Sequence, residues 1–260
     1  MRRRRTIFTL AAALFAAGLA ARPASAQVNT EALRRDVKTS PVFGSVDGNF
    51  TGRAGNVTGV IAGAGVFAGY HSGDHLAFVR AQGDYTEFDS VVKVAKAFAH
   101  ARYNYALLGP FTAEVFTQVQ RDRFIRLELR NLYGAGLRTA LVEERSFEAF
   151  LGTAYMFEYE IEGRRLRDPE PAKVTAHRAS IYLAPSWAIS KSMRLSTVAY
   201  LQPRLDGPTD ARFFDETVFT TDVLPRLKVR IGVSVRYDTE PPEGVKPWDV
   251  EVKNSLALVL

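Results

Sequence analysis

Two groups of residues in this 260-residue chain have the means to do chemistry. One is the histidines, His71, His75, His100 and His177; the other is a set of charged side chains at alternate positions of long segments. An imidazole beside a serine could activate a nucleophile, and imidazoles joined by a carboxylate could hold a metal. His177 has Ser180 three residues on, but that spacing on an extended strand puts the two on opposite faces. His71 and His75 flank a short turn and have no third ligand, and His100 lies amid charges. Asp84, Glu87 and Asp89 form a small acidic group, without the His–Asp pair that a barrel protease would set across a cleft. No catalytic or metal-binding set is assembled and no cofactor is implied. A barrel hydrolase acting on lipid or peptide remains the alternative reading.

The charged positions follow a stricter rule. From Leu227 to Asp238 one face reads Leu227, Val229, Ile231, Val233, Val235 and Tyr237, and the other Lys228, Arg230, Gly232, Ser234, Arg236 and Asp238. Alternation of this length exceeds the five or six residues usual in soluble strands and matches the roughly nine to eleven needed to cross a bilayer. The same alternation places Arg80, Gln82, Asp84, Lys96, His100, Arg102, Glu114, Gln118, Arg130, Arg138, Glu148, Glu158, Arg178 and Arg230 on one side. The other side carries Val60, Ala62, Ala64, Val66 and Ala68, then Ala95 to Tyr105 in steps of two, then Phe147 to Tyr159, then Ala179 to Trp187. A soluble barrel would fill its interior with these small apolar residues and leave voids, whereas lipid demands no such packing. The charges therefore face inward. In the later strands the basic set is Arg178, Arg194, Arg204, Arg212, Lys228, Arg230, Arg236 and Lys253, against Glu216, Asp238 and Glu251, which predicts a positive lumen wall there. A wet lumen of this kind would favour small anions; a closed one would use the same residues in crossed ion pairs.

The elements that hold these positions are strands expected near 42–51, 57–71, 75–86, 92–106, 110–121, 127–141, 146–161, 174–189, 193–204, 211–222, 226–238 and 249–260. Short connections at 72–74, 107–109, 142–145, 190–192 and 223–225 alternate with longer ones near 52–56, 87–91, 122–126, 162–173, 206–210 and 239–248. Short periplasmic turns and long external loops are the mark of an outer-membrane barrel. The reading is all-β: a transmembrane, antiparallel, up-and-down barrel of about 12 strands over 42–260, with both termini periplasmic. Ten strands is the runner-up, because the first strand is rich in glycine and 122–131 is irregular. Tyr70, Tyr85, Tyr103, Tyr105, Tyr159, Trp187 and Tyr237 fall at strand ends, as interfacial girdles do.

Residues 1–26 read as a signal peptide: Arg2 to Arg5, an apolar run from Ile7 to Ala21, and Ala24-Ser25-Ala26 before Gln27. Residues 27–41 read as a short periplasmic segment. Five of the 34 basic residues and none of the 28 acidic ones lie in the signal, so the mature chain holds 29 basic against 28 acidic, a net +1. The headline +6 is removed on export, and nucleic acid is not an expected partner. The absence of cysteine excludes disulfides and a cysteine-linked lipid anchor. Membrane lipid, lipopolysaccharide and the barrel-assembly machinery are the expected partners, with small ions or solutes in the lumen. The run Arg164, Arg165, Arg167 in the 162–173 loop, beside Asp168, could meet lipopolysaccharide phosphates.

Four stretches, Arg130-Asn131-Leu132-Tyr133-Gly134-Ala135-Gly136-Leu137-Arg138, His177-Arg178-Ala179-Ser180, Tyr200-Leu201-Gln202-Pro203-Arg204 and Asp210-Ala211-Arg212-Phe213, together resemble a family of bacterial salt-induced outer-membrane proteins, a domain of unknown function. The resemblance implies an outer-membrane barrel with an envelope role under osmotic stress and no established activity. Read physically, Gly134 and Gly136 would let an opposing Arg or Tyr cross the lumen, and Pro203, which has no N–H, belongs at a strand end or bulge. Cleavage after Ala26 predicts an exported chain that begins at Gln27. N-terminal sequencing of protein from isolated membranes checks it, and retention of the Arg2–Arg5 run would refute it.

Overall fold

Twelve antiparallel strands close on themselves in chain order in the computed structural model, which describes residues 41–53, 59–88, 91–122, 126–163, 171–207, 209–241 and 245–260. They are β1 (Val42–Arg53), β2 (Gly59–Ser72), β3 (His75–Phe88), β4 (Val91–Ala106), β5 (Phe111–Asp122), β6 (Leu127–Glu143), β7 (Phe147–Glu162), β8 (Ala172–Ala188), β9 (Met193–Pro203), β10 (Ala211–Leu224), β11 (Leu227–Asp238) and β12 (Trp248–Val259). The expected strands coincide with these to within two residues at nearly every end, and the ten-strand alternative falls away. The signal peptide, residues 27–40, Asp89 and the Arg164–Asp168 run lie outside the described residues.

The strands alternate, apart from a few register shifts, because one side of the sheet meets a charged interior and the other meets lipid. Val66, Val79, Val115, Val119, Leu137, Leu183, Leu201, Ile231 and Val233 are exposed on the outside. Arg80, Arg102, Glu114, Arg138, Glu158 and Arg178 are buried inside. An apolar exterior wrapped around a charged interior is stabilised by lipid and not by water. Tyr70, Tyr103, Tyr105 and Trp187 lie outward near the short turns, and Tyr85, Tyr237 and Trp248 outward near the longer connections. Two aromatic bands thus bracket the aliphatic one. Tight reversals are set by glycine at positive φ: Gly73 at 55° and Gly109 at 65°. The irregularity at 122–131 is a register shift between Gln120 and Asp122, followed by Arg126 at a φ of 58°.

Inside, glycines on the wall make room for side chains that lie flat along it. A Cβ at Gly152 would overlap the Tyr182 ring from β8, and one at Gly134 would overlap Phe116 from β5. At Gly134 the occupant is therefore an apolar ring from the adjacent strand, not a crossing Arg or Tyr. Gly136 admits no side chain at all: its open space is filled by the backbone of Thr153 and Ala154 on β7. The lumen-crossing tyrosine uses Gly152 instead. Pro203 closes β9, as its missing N–H requires.

The closing seam differs from the other junctions. Among the described residues, β1 and β12 share a register only at Ser45 with Val259, Val46 with Leu258, Asp47 with Ala257 and Gly48 with Leu256. On its other side β1 pairs with β2 along its whole length. Gly152→Ala should destabilise the barrel by about 1–3 kcal/mol through overpacking against Tyr182. The midpoint of the heat-modifiable gel shift measures this, and an unchanged midpoint would show that Tyr182 does not need the space.

Candidate functional site

The inward charges assemble into three connected groups. The first occupies the half of the barrel toward the long connections. Arg212 on β10 donates to Glu158 at 2.6 Å and to Glu160 at 3.1 Å, both on β7, and to Asp238 on β11 at 2.9 Å. Arg178 on β8 grips Asp210 with two bonds of 2.9 Å and donates to Glu158 at 3.3 Å. Arg130 on β6 pairs with Glu160. Glu158 thus lies within 4 Å of three guanidinium groups, since Arg130 approaches it at 3.9 Å. A carboxylate buried this deeply needs such company to offset its lost hydration.

The second group fills the half toward the short turns. Arg102 on β4 sits 3.5 Å from Glu114 on β5, and the Tyr182 hydroxyl donates to Glu114 at 2.9 Å from β8, skipping two strands. Arg138 donates to the Tyr182 oxygen at 3.2 Å and lies over the Phe150 ring at 3.8 Å. Arg102 lies over Phe116 at 5.2 Å. These cation–π contacts offset burial of the guanidinium groups where carboxylates are few. His100 stacks among Phe78, Phe98 and Phe116, with centroids 5.9–6.2 Å away, and its Nδ1 meets Gln118.

The third group lines the seam side. Arg80 on β3 makes a bidentate pair with Asp47 on β1, at 2.5 and 3.0 Å, and Arg230 approaches the same carboxylate at 3.8 Å. Lys253 on β12 donates to Asp84 on β3 at 2.6 Å, and Lys96 on β4 to Glu251 on β12 at 2.8 Å. The last contact skips three strands.

The remaining expected positions lie at the margins. Arg204 follows the end of β9, where it clasps Asp206 at 2.7 and 3.2 Å and approaches Asp210 at 3.8 Å. That hydrogen bond holds the Asp206 carboxyl below its ordinary range. Lys228 pairs with Asp222 at 3.3 Å near a short turn. Glu148 and Glu216 are half-buried on β7 and β10. Arg236 lines a vestibule at the long-loop end with Arg130, Arg212, Lys246, Glu158, Glu160, Glu162, Asp238, Glu240 and Asp249.

Asp47, Glu160, Asp210 and Asp249 join the site beyond the residues expected from sequence. Asp210 falls in the expected 206–210 connection, and the other three share the parity of their inward neighbours. Their presence corrects the expectation of a positive wall: the arginines of the later strands face acids from β7 and from the loop before β10, and the interior is close to balanced. His177 points outward to the Tyr155 hydroxyl, while Ser180 is buried inside against Gln202. His75 bonds the Tyr103 hydroxyl at 2.7 Å. Glu87 accepts from Tyr85 on the outer surface, far in character from the inward Asp84. Among the described residues no three acids or histidines are arranged to hold a metal ion.

Glu158→Gln should cost about 3–5 kcal/mol, because it strands buried arginine charge. Asp206→Asn, at an exposed pair, should leave stability nearly unchanged. Urea titration of the two refolded variants separates the cases, and equal losses would contradict the burial ranking.

No curated protein matches the chain. Solved structures with a similar barrel include the NanC porin, at 11% identity and a TM-score of 0.45 over 84% of this chain and 97% of that one. The KdgM porin in complex with disordered oligogalacturonate is 8% identical, with a TM-score of 0.40 over 84% and 96%. The translocator domain of the autotransporter NalP from Neisseria meningitidis is 12% identical, with a TM-score of 0.44 over 88% and 93%. The family model described as "Protein of unknown function, DUF481" matches residues 55–258, most of the barrel, and the chain belongs to that family.

Proposed function

We propose that this protein is an outer-membrane barrel whose lumen is crossed by ion pairs and passes water and small ions at most, serving the envelope as a narrow conduit or closed wall. The carrying observation is the set of ties that skip two or three strands: Lys96–Glu251, Tyr182–Glu114 and Arg212–Glu158. Such chords divide the interior at more than one depth. The vestibule above them has a cavity volume of 60 Å³, room for a few waters at roughly 10–15 Å³ of such space each. Its wall names six acids, Glu158, Glu160, Glu162, Asp238, Glu240 and Asp249, against the bases Arg130, Arg212, Arg236 and Lys246. That balance favours weak selectivity over the anion preference expected from the arginines alone. A role under osmotic stress rests on the resemblance of the four motifs to salt-induced outer-membrane proteins. The outward parting of His177 from Ser180 supports a conduit over a hydrolase.

Conductance of the refolded barrel in a planar lipid bilayer tests this. Wild type should show only small, weakly selective steps or none. Lys96→Ala with Glu251→Ala, which removes both ends of one chord, should raise step size. Large, defined steps from the wild type would make the chain an open porin and refute the reading.

A further inference from the structure

The seam between β1 and β12 goes beyond a question of axial passage. Among the described residues the shared ladder ends at Gly48 and Leu256, and residues 49–53 of β1 and 251–255 of β12, which face one another in the same register, are not paired. Five residues of β12 span about 17 Å at roughly 3.3 Å each, more than half of the apolar band of a barrel. This stretch lies at membrane depth, since Val250 and Val252 face outward and are 38% and 45% exposed, with Trp248 at the interfacial end. Unpaired backbone groups facing hydrocarbon cost several kcal/mol each. The β8–β9 junction has only two-residue gaps: pairs lie on both sides of Ala184 and Pro185, the latter with no N–H to offer, and an Arg178–Arg204 bridge restores contact beyond Ala179 and Ser180.

The interior behind the seam is polar. Lys253 rises from the unpaired part of β12 itself, and Glu251 from the same stretch meets Lys96. These two ties bind β12 to β3 and β4 where the ladder does not bind it to β1. The Oδ1 of Asn49, the first β1 residue beyond the ladder, is buried with no hydrogen-bond partner among the described residues. An open edge thus has hydrocarbon on one side, and on the other two lysine–carboxylate pairs and an acceptor that lacks a donor. A ligand that matches all of these is amphiphilic and zwitterionic, with a phosphate that shares the lysines and an ammonium that meets their carboxylates and Asn49.

We propose that the seam is a lateral portal that seats a phospholipid, its acyl chains outside against Val250 and Val252 and its headgroup inserted between β1 and β12. This goes beyond the axial reading and does not depend on it, because a lumen closed to ions can still admit a headgroup from the side.

The chain has no cysteine, so closure can be tested on a silent background. Extending the register sets Gly52 opposite Val252; Gly52→Cys with Val252→Cys closes the portal by a disulfide, and Val46→Cys with Leu258→Cys is the control within the ladder. A diazirine side chain at Ser255, on the inward face, reports entry in the full mature chain refolded into phosphatidylethanolamine–phosphatidylglycerol vesicles. A diazirine at Ser180 reports the interior away from the seam, and heat-modifiable migration confirms folding of each variant. The expected result is a phospholipid adduct at Ser255, absent at Ser180, lost on closing 52–252 and kept on closing 46–258. No adduct at Ser255, or one indifferent to closure, overturns the portal. A polypeptide adduct at Ser255 in protein labelled in cells overturns it in favour of strand addition at the same edge.

Discussion

Closure of the backbone ladder is the constraint from which the rest of this structure follows. In hydrocarbon no water is available to an unpaired N–H or C=O, so a spanning sheet must return to its own first strand. Twelve strands of 11–17 residues meet this by pairing with neighbours in chain order, joined at one end by connections of a few residues. The geometry leaves side chains two destinations only. Outward positions take valine, leucine, alanine and interfacial aromatics; inward positions take most of the charge.

Charge inside a narrow barrel must then be neutralised inside it. Glu158 and Glu160 are held by three arginines, Asp47 by Arg80 and Arg230, and Glu114 by Arg102 and the Tyr182 hydroxyl. Removing one partner from such a network costs more than the network contributes when whole, because the survivor remains buried. The interior therefore behaves as a connected unit. Aromatic rings at Phe78, Phe98, Phe116 and Phe150 separate the charged groups and shield them from one another. Glycines 134 and 152 allow two of the larger rings to lie along the wall without strain.

The seam is where the governing constraint is met least fully. β1 has glycine at 44, 48 and 52 on its outward parity, which gives it little side-chain surface with which to pack a neighbour. Its ladder with β12 stops after four pairs, and ion pairs from β12 to β3 and β4 take over the work of holding the edge. Side chains thus support a junction that elsewhere in the barrel is supported by backbone.

Period-two alternation settled the strand number, the strand limits and the face of each residue, because hydrocarbon accepts no charge and the parity of a strand cannot change without a bulge. From parity alone Arg80, Lys96, Arg102, Glu114, Arg130, Arg138, Glu158, Arg178 and Arg212 could be assigned to the interior. Parity carries no information about which inward residue meets which. The pairing of Lys96 with Glu251, 155 positions apart, depends on curvature and stagger around the whole barrel. So does the neutralisation of Arg178 by Asp210, a residue outside any strand. The charge balance of the lumen, the ring that fills the space at Gly134 and the short ladder between first and last strands are likewise properties of the closed circle. Local sequence specifies each strand's faces; only closure determines how the strands meet across the space they enclose.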